Sequence, residues 1–132
     1  MEGGCCGQPQ GETLVFTCAG AAYTGQLANR AGVQMIQQGA GRLFCMAAVA
    51  AGISDKLERA RQGAARVVID GCEDRCCRKV LEKAGLPVDV HVVVTDLGIE
   101  KQPSEPRLVL DTKRVVERAI EALRAPRQAP GA

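Results

Sequence analysis

Aromatic residues are nearly missing from this chain, which has no Trp, one Tyr and two Phe among 132 residues. That shortage excludes a base-stacking platform for single-stranded nucleic acid, which needs successive aromatic side chains. An excess of one charge is missing too. The 17 basic and 15 acidic residues leave a formal net charge of +2, and no basic stripe marks the footprint of a nucleic-acid partner. Long hydrophobic runs are also lacking. The small apolar stretch at residues 44–53 falls far short of the roughly 20 residues that span a bilayer. The opening residues, MEGGCCGQPQGE, have no basic segment leading into an apolar one, so no secretory signal is read there. The expectation is a cytoplasmic protein with no nucleic-acid or membrane partner.

Two things are plentiful. Apolar residues make up 46% of the chain, and with so few aromatics the core must be built from Val, Ile, Leu and Ala. The second is sulfur: seven cysteines, an odd number. In a reducing cytosol such cysteines serve as ligands or catalytic thiols more often than as disulfides.

The chain alternates between two periods. Residues 1–12 read as a flexible leader and residues 125–132 as a flexible tail, which leaves a single domain over 13–124. The first strand is read at 13–18 and a helix at about 24–38, stopped by Gly39 and Gly41. A second strand follows at about 42–46, then a loop of small residues and a short helix capped by Ser54 or Asp55. The third strand, 66–70, runs through Gly71 and Cys72 into a helix at about 74–84, ended by Gly85. The fourth strand is read at 88–95, and Asp111 is read as the cap of the last helix. A short extra strand at 108–110 is a further expectation. Strand–helix repeats with crossover-length connections give an α/β fold of three layers: a mainly parallel four-stranded sheet, order 2-1-3-4, with helices on both faces.

Ligands of such sheets bind outside the carboxyl ends of the strands, where the strand order reverses. The first strand ends in Cys18, the second near Cys45, and the third runs into Cys72. Cys76 lies one helical turn further on, so its side chain can return to the same edge. Four thiolates close a tetrahedral zinc site. The N-terminus of the following helix, with Arg75, Arg78 and Lys79, would offset the negative charge. Gly20, Gly71 and the small residues after Cys45 would let the backbone come close to an ion. Taken singly, Cys18 or Cys45 reads as a small core hydrophobe; four thiols at one edge read as a site. Cys72 to Arg78 also fits Cys-x5-Arg, the oxyanion loop of low-molecular-weight phosphatases, but Glu73 and Asp74 would repel a phosphate and that loop follows a first strand.

The segments carrying these cysteines resemble a known family. IDGCEDRCCRKVLEKAGL, FTCAGAAYTGQLAN, GRLFCMAAVAAGI and HVVVTDLGIEK are similar to the motifs of DGC-domain proteins, described as zinc-binding. The resemblance spans about residues 13–101, and the family's four shared cysteines match Cys18, Cys45, Cys72 and Cys76. It implies a metal-binding protein with those four ligands. The chain departs from the family pattern at Ala21–Thr24, at Glu73–Arg75, and at Cys77, where a small residue is usual.

Three other readings stay open. One is a redox or sulfur-transfer role for Cys72 with Cys76 or Cys77 as the second thiol. The others are an iron–sulfur cluster on the same thiolates, or a softer toxic metal such as arsenite or mercury. No base or oxyanion arrangement argues for an enzyme. A homodimer is left open, since no apolar stripe singles out an interface. Cys5 and Cys6 read as leader thiols, His91 as a packed or surface residue, Asp70 as a turn former or an orienter of backbone N–H groups at the turn, and Asp96 and Lys101 as residues at the cysteine edge.

Overall fold

A computed structural model describes residues 11–126 of the chain. Most of the expected leader and tail, with Cys5 and Cys6, lies outside the described residues. The elements run β1 (Thr13–Thr17), α1 (Tyr23–Gln37), β2 (Arg42–Leu43), α2 (Met46–Ala50), α3 (Ser54–Arg61), β3 (Ala65–Asp70), α4 (Cys76–Lys83), β4 (Val90–Val93), one 3-10 turn (Val94–Leu97) and α5 (Leu108–Arg124).

All three strand pairings are parallel, in the order β2-β1-β3-β4. Side-chain alternation then sorts the core into two faces. Val15, Val67, Ile69 and Val92 face α1 and α5 together with Leu27, Ala31, Met35, Val115 and Ala119. Leu14, Phe16 and Val68 face the other side with Val49, Ala60, Cys77, Leu81 and Leu86. β3 is buried at every residue, as a central parallel strand must be. The near absence of aromatics is visible in this core, where Phe16 packs on Phe44 with ring centroids 5.2 Å apart.

Two buried polar groups tie elements together. Arg66, on β3, sends its guanidinium to the carbonyls of Ala60, Gly63 and Pro87 at 3.0–3.1 Å. It pairs with Asp89 at 3.4 Å, so its buried charge has a partner. On the opposite face, the Tyr23 hydroxyl donates to Asp111 Oδ2 at 2.8 Å. This fastens the start of α1 to α5 and, with burial, pushes the Tyr23 phenol up to about 12.

Several boundaries differ from the sequence reading. The second strand pairs over two residues only, and the small-residue loop after it contains the short helix α2. β4 is shorter than residues 88–95, because the chain turns into a 3-10 segment at Val94. No strand forms at 108–110. Those residues open α5, where the Asp111 N–H donates to the Arg107 carbonyl at 2.8 Å and Thr112 Oγ1 to the Leu108 carbonyl at 2.6 Å. Local helical bonds satisfy this backbone without a neighbouring sheet edge. Asp111 therefore sits inside the first turn of α5 instead of capping it. α4 begins at Cys76, two residues later than the sequence suggests.

Candidate functional site: a cysteine-rich sheet edge

The carboxyl ends of β1 and β3 adjoin, and two turns carry cysteines away from them. Cys18 follows β1 directly. Its N–H still donates to the Ile69 carbonyl at 2.9 Å, so the ladder fixes its backbone. Beyond it the chain reverses through Ala19–Ala22 into α1. On β3 the chain passes Gly71 and turns at 72–75, where the Arg75 N–H donates to the Cys72 carbonyl at 3.0 Å. Arg75 is in the left-handed region, φ 54°, a conformation that non-glycine residues adopt at some cost. That residue separates Cys72 from the helix and delays α4 to Cys76.

Close backbone packing brings the two turns together. A Cβ on Gly71 would stand 2.8 Å from Gly25 N and Cα, and one on Gly25 would stand 2.7 Å from the Gly20 carbonyl oxygen. Only glycines allow the β3 turn, the first turn of α1 and the turn after Cys18 to meet this closely. The sequence reading gave Gly20 and Gly71 another role, close approach of the backbone to an ion, and did not single out Gly25.

Asp70, at the last position of β3, is almost fully buried. Its Oδ1 accepts the Cys77 N–H at 2.8 Å and its Oδ2 the Arg78 N–H at 3.2 Å. These are the second and third residues of α4, so Asp70 supplies a cap from outside the helix and places a negative charge at its positive end. His91 Nε2 lies 2.8 Å from the same Oδ2, and Arg78 lies 3.2 Å from His91 Nδ1. Arginine can only donate, so Nδ1 accepts and Nε2 carries the proton toward Asp70. His91 is thus a fully engaged structural residue. Of the two roles read for Asp70, turn former or orienter of backbone N–H groups at the turn, the structure shows the second, as a helix cap.

Cys18 is the most perturbed accessible thiol. Its pKa is lowered from 9.0 to about 6, first by a hydrogen bond from the Cys77 side chain and then by the N–H groups of Gly20 and Gly71; burial and the Asp70 charge oppose this. The Gly20 N–H lies 3.2 Å from the sulfur. Cys77, buried at 5% exposure, is driven the other way by the same bond, by burial and by Asp70, so it stays a thiol and Cys18 becomes the thiolate. Lys101 stands beside Cys72 and Asp74, and electrostatic attraction to Cys72, a hydrogen bond to it and the Asp74 charge hold the ammonium above its usual range.

A pocket of about 330 Å³ opens at this edge. It is lined by Cys18, Cys76 and Cys77 with the apolar Met46, Ala47, Ala50 and Val80 among its walls. Of the four expected ligands, Cys18 and Cys76 therefore share one pocket. Cys72 lies in the adjoining turn, half-buried. Cys45, exposed, occupies the N-cap position of α2 next to the pocket residue Met46. Among the described residues, no three His, Cys, Asp or Glu side chains are grouped closely enough to hold a metal ion. The sequence reading missed Cys77 as the partner of Cys18. Asp96 lies exposed in the 3-10 turn.

Fold and site together define a parallel α/β protein with a thiol-lined pocket at the carboxyl edge of its sheet. The family model for the DGC domain matches residues 14–122, and the chain belongs to that family. It is also similar to a Pseudomonas aeruginosa protein named anaerobic and virulence modulator AnvM, with 26% identity over 102 residues, covering 77% of this chain and 78% of the relative. No solved structure matches the chain significantly. No helix among the described residues is long and apolar enough to cross a membrane.

Proposed function

We propose that this protein binds a thiophilic metal ion, zinc first, through Cys18, Cys45, Cys72 and Cys76. The observation that carries the reading is the shared pocket of Cys18 and Cys76, with Cys18 held in the thiolate form a soft ion requires. Membership of the DGC-domain family supports it. The donor set fits zinc by chemistry: thiolates are its preferred structural ligands, and four of them close a tetrahedron. Lys101 and the N-terminus of α4 are placed to offset the charge of such a centre. The side chains are not gathered, however, so a four-thiolate site requires Cys45 and Cys72 to turn inward from the α2 cap and the 72–75 turn.

Protein purified under reducing conditions should carry about one zinc per chain by elemental analysis. Cys72→Ser and Cys76→Ser should lose most of it, while Cys77→Ser should keep it. Full retention by the first two variants, or no metal in the parent protein, would end this reading. Iron with inorganic sulfide in the same analysis would replace zinc by a cluster on the same thiolates. One observation favours a second reading, thiol redox chemistry: Cys18, Cys76 and Cys77 line one pocket.

A further inference from the structure

Cys77 stands outside the proposed ligand set, yet it lines the same pocket as Cys18, and Cys18 packs against the buried cluster that contains Cys77. Their surroundings differ in a telling way. Cys18 is half-exposed at the end of a strand. Cys77 is buried against Phe16, Val68 and Leu81 in the core layer beneath α4. Its backbone is pinned by Asp70, which is itself held by His91. An oxidant in solvent can reach Cys18 but not Cys77, and Cys77 cannot drift away from whatever forms on Cys18. That is the relation between an attacking and a resolving cysteine.

We propose that Cys18 and Cys77 form a reversible disulfide when the protein meets hydrogen peroxide, and that this bond withdraws Cys18 from the metal ligand set. The first half stands on the shared pocket and the packing of Cys18 against the Cys77 layer; the second rests on the zinc reading above. The Cys18 thiolate attacks one peroxide oxygen, the O–O bond breaks, and hydroxide leaves, giving a sulfenic acid. The Cys77 sulfur then attacks the Cys18 sulfur and releases its proton. The S–O bond breaks, and water leaves. Two thiols have lost two electrons in all, and the peroxide has been reduced to two waters. Two equivalents of a small thiol reverse the bond by exchange and are themselves oxidised to a disulfide. Cys76 lines the same pocket but is exposed at the first position of α4, outside the buried layer that holds Cys77 against Cys18.

The test treats the full chain, stripped of metal by a chelator, with hydrogen peroxide in small excess, and maps the products by peptide mass spectrometry. The first product expected is a peptide pair joined through Cys18 and Cys77, two hydrogens lighter and restored by dithiothreitol. In Cys77→Ser, Cys18 should stop at sulfenic acid, trapped by dimedone, and then advance to sulfinic acid. A first disulfide between Cys72 and Cys76, or between Cys18 and Cys76, would overturn the proposal. So would sulfinic acid forming on Cys18 as fast in the parent as in Cys77→Ser. A parallel arm loads the reduced proteins with zinc before oxidation. Zinc should leave the parent as the disulfide forms. Disulfide formation with all zinc retained would overturn the withdrawal step. Failure of the reduced protein to take up zinc would sink the metal reading alone, because the disulfide map decides the first half independently.

Discussion

Replacing Cys77 by alanine takes one hydrogen-bond donor away from the Cys18 sulfur and leaves the Gly20 and Gly71 N–H groups in place. The parent Cys18 titrates at about 6, against 9.0 for an ordinary thiol, with Cys77 as the largest cause. At pH 7 that difference separates about ten thiolates per thiol from about one per hundred. The variant should titrate between the two values, well above the parent, because the backbone donors persist. Cys77→Ser, whose hydroxyl still donates, should stay near the parent. The alkylation rate at one pH is a poor readout, since a thiolate becomes more nucleophilic as its pKa rises, with a slope of about 0.4–0.5. A full return to 9.0 would slow the reaction at pH 7 only about 3–6-fold. The assay is therefore the pH midpoint of iodoacetamide labelling of the Cys18 peptide, measured on metal-free reduced protein with matched circular dichroism. A parent midpoint near 9, or identical midpoints in the parent and Cys77→Ala, would refute the thiol–thiol bond as the cause.

Three further outcomes follow from the same edge. Asp70→Ala strands two helix N–H groups and the His91 N–H, and urea unfolding should show a loss of about 3 kcal/mol or more; a loss below about 1 kcal/mol would contradict the cap. Gly71→Ala forces a methyl group against the α1 backbone and should cost about 1–3 kcal/mol, with a raised Cys18 midpoint; a neutral result would mean the two turns are not packed as described. Folding lowers the Cys18 pKa, so between about pH 6 and pH 9 the unfolded chain holds the extra proton and stability rises with pH; below about 6 that contribution is gone. Urea midpoints of Cys18→Ser should therefore rise less across that window than those of the parent, and equal slopes would exclude the linkage.

Much of this arrangement is legible in the residues themselves. Strand runs separated by crossover-length helices dictate parallel pairing, and handedness then leaves few orders, of which 2-1-3-4 is the one found. A strand that ends in cysteine must deliver its thiol to the carboxyl edge, which is why Cys18 and the turn carrying Cys72 lie where the sequence puts them. The pairing of Cys77 with Cys18 is of another kind. Each residue advances a helix by about 100°, so starting α4 at Cys76 instead of Asp74 decides which neighbouring thiol faces the core. That start is set by the left-handed Arg75 and by a buried carboxylate six residues before the helix, itself held by a histidine from β4. Neither periodicity nor spacing records a cap donated from another strand. Only the packed chain, with Gly20, Gly25 and Gly71 in backbone contact, determines which cysteines line one pocket.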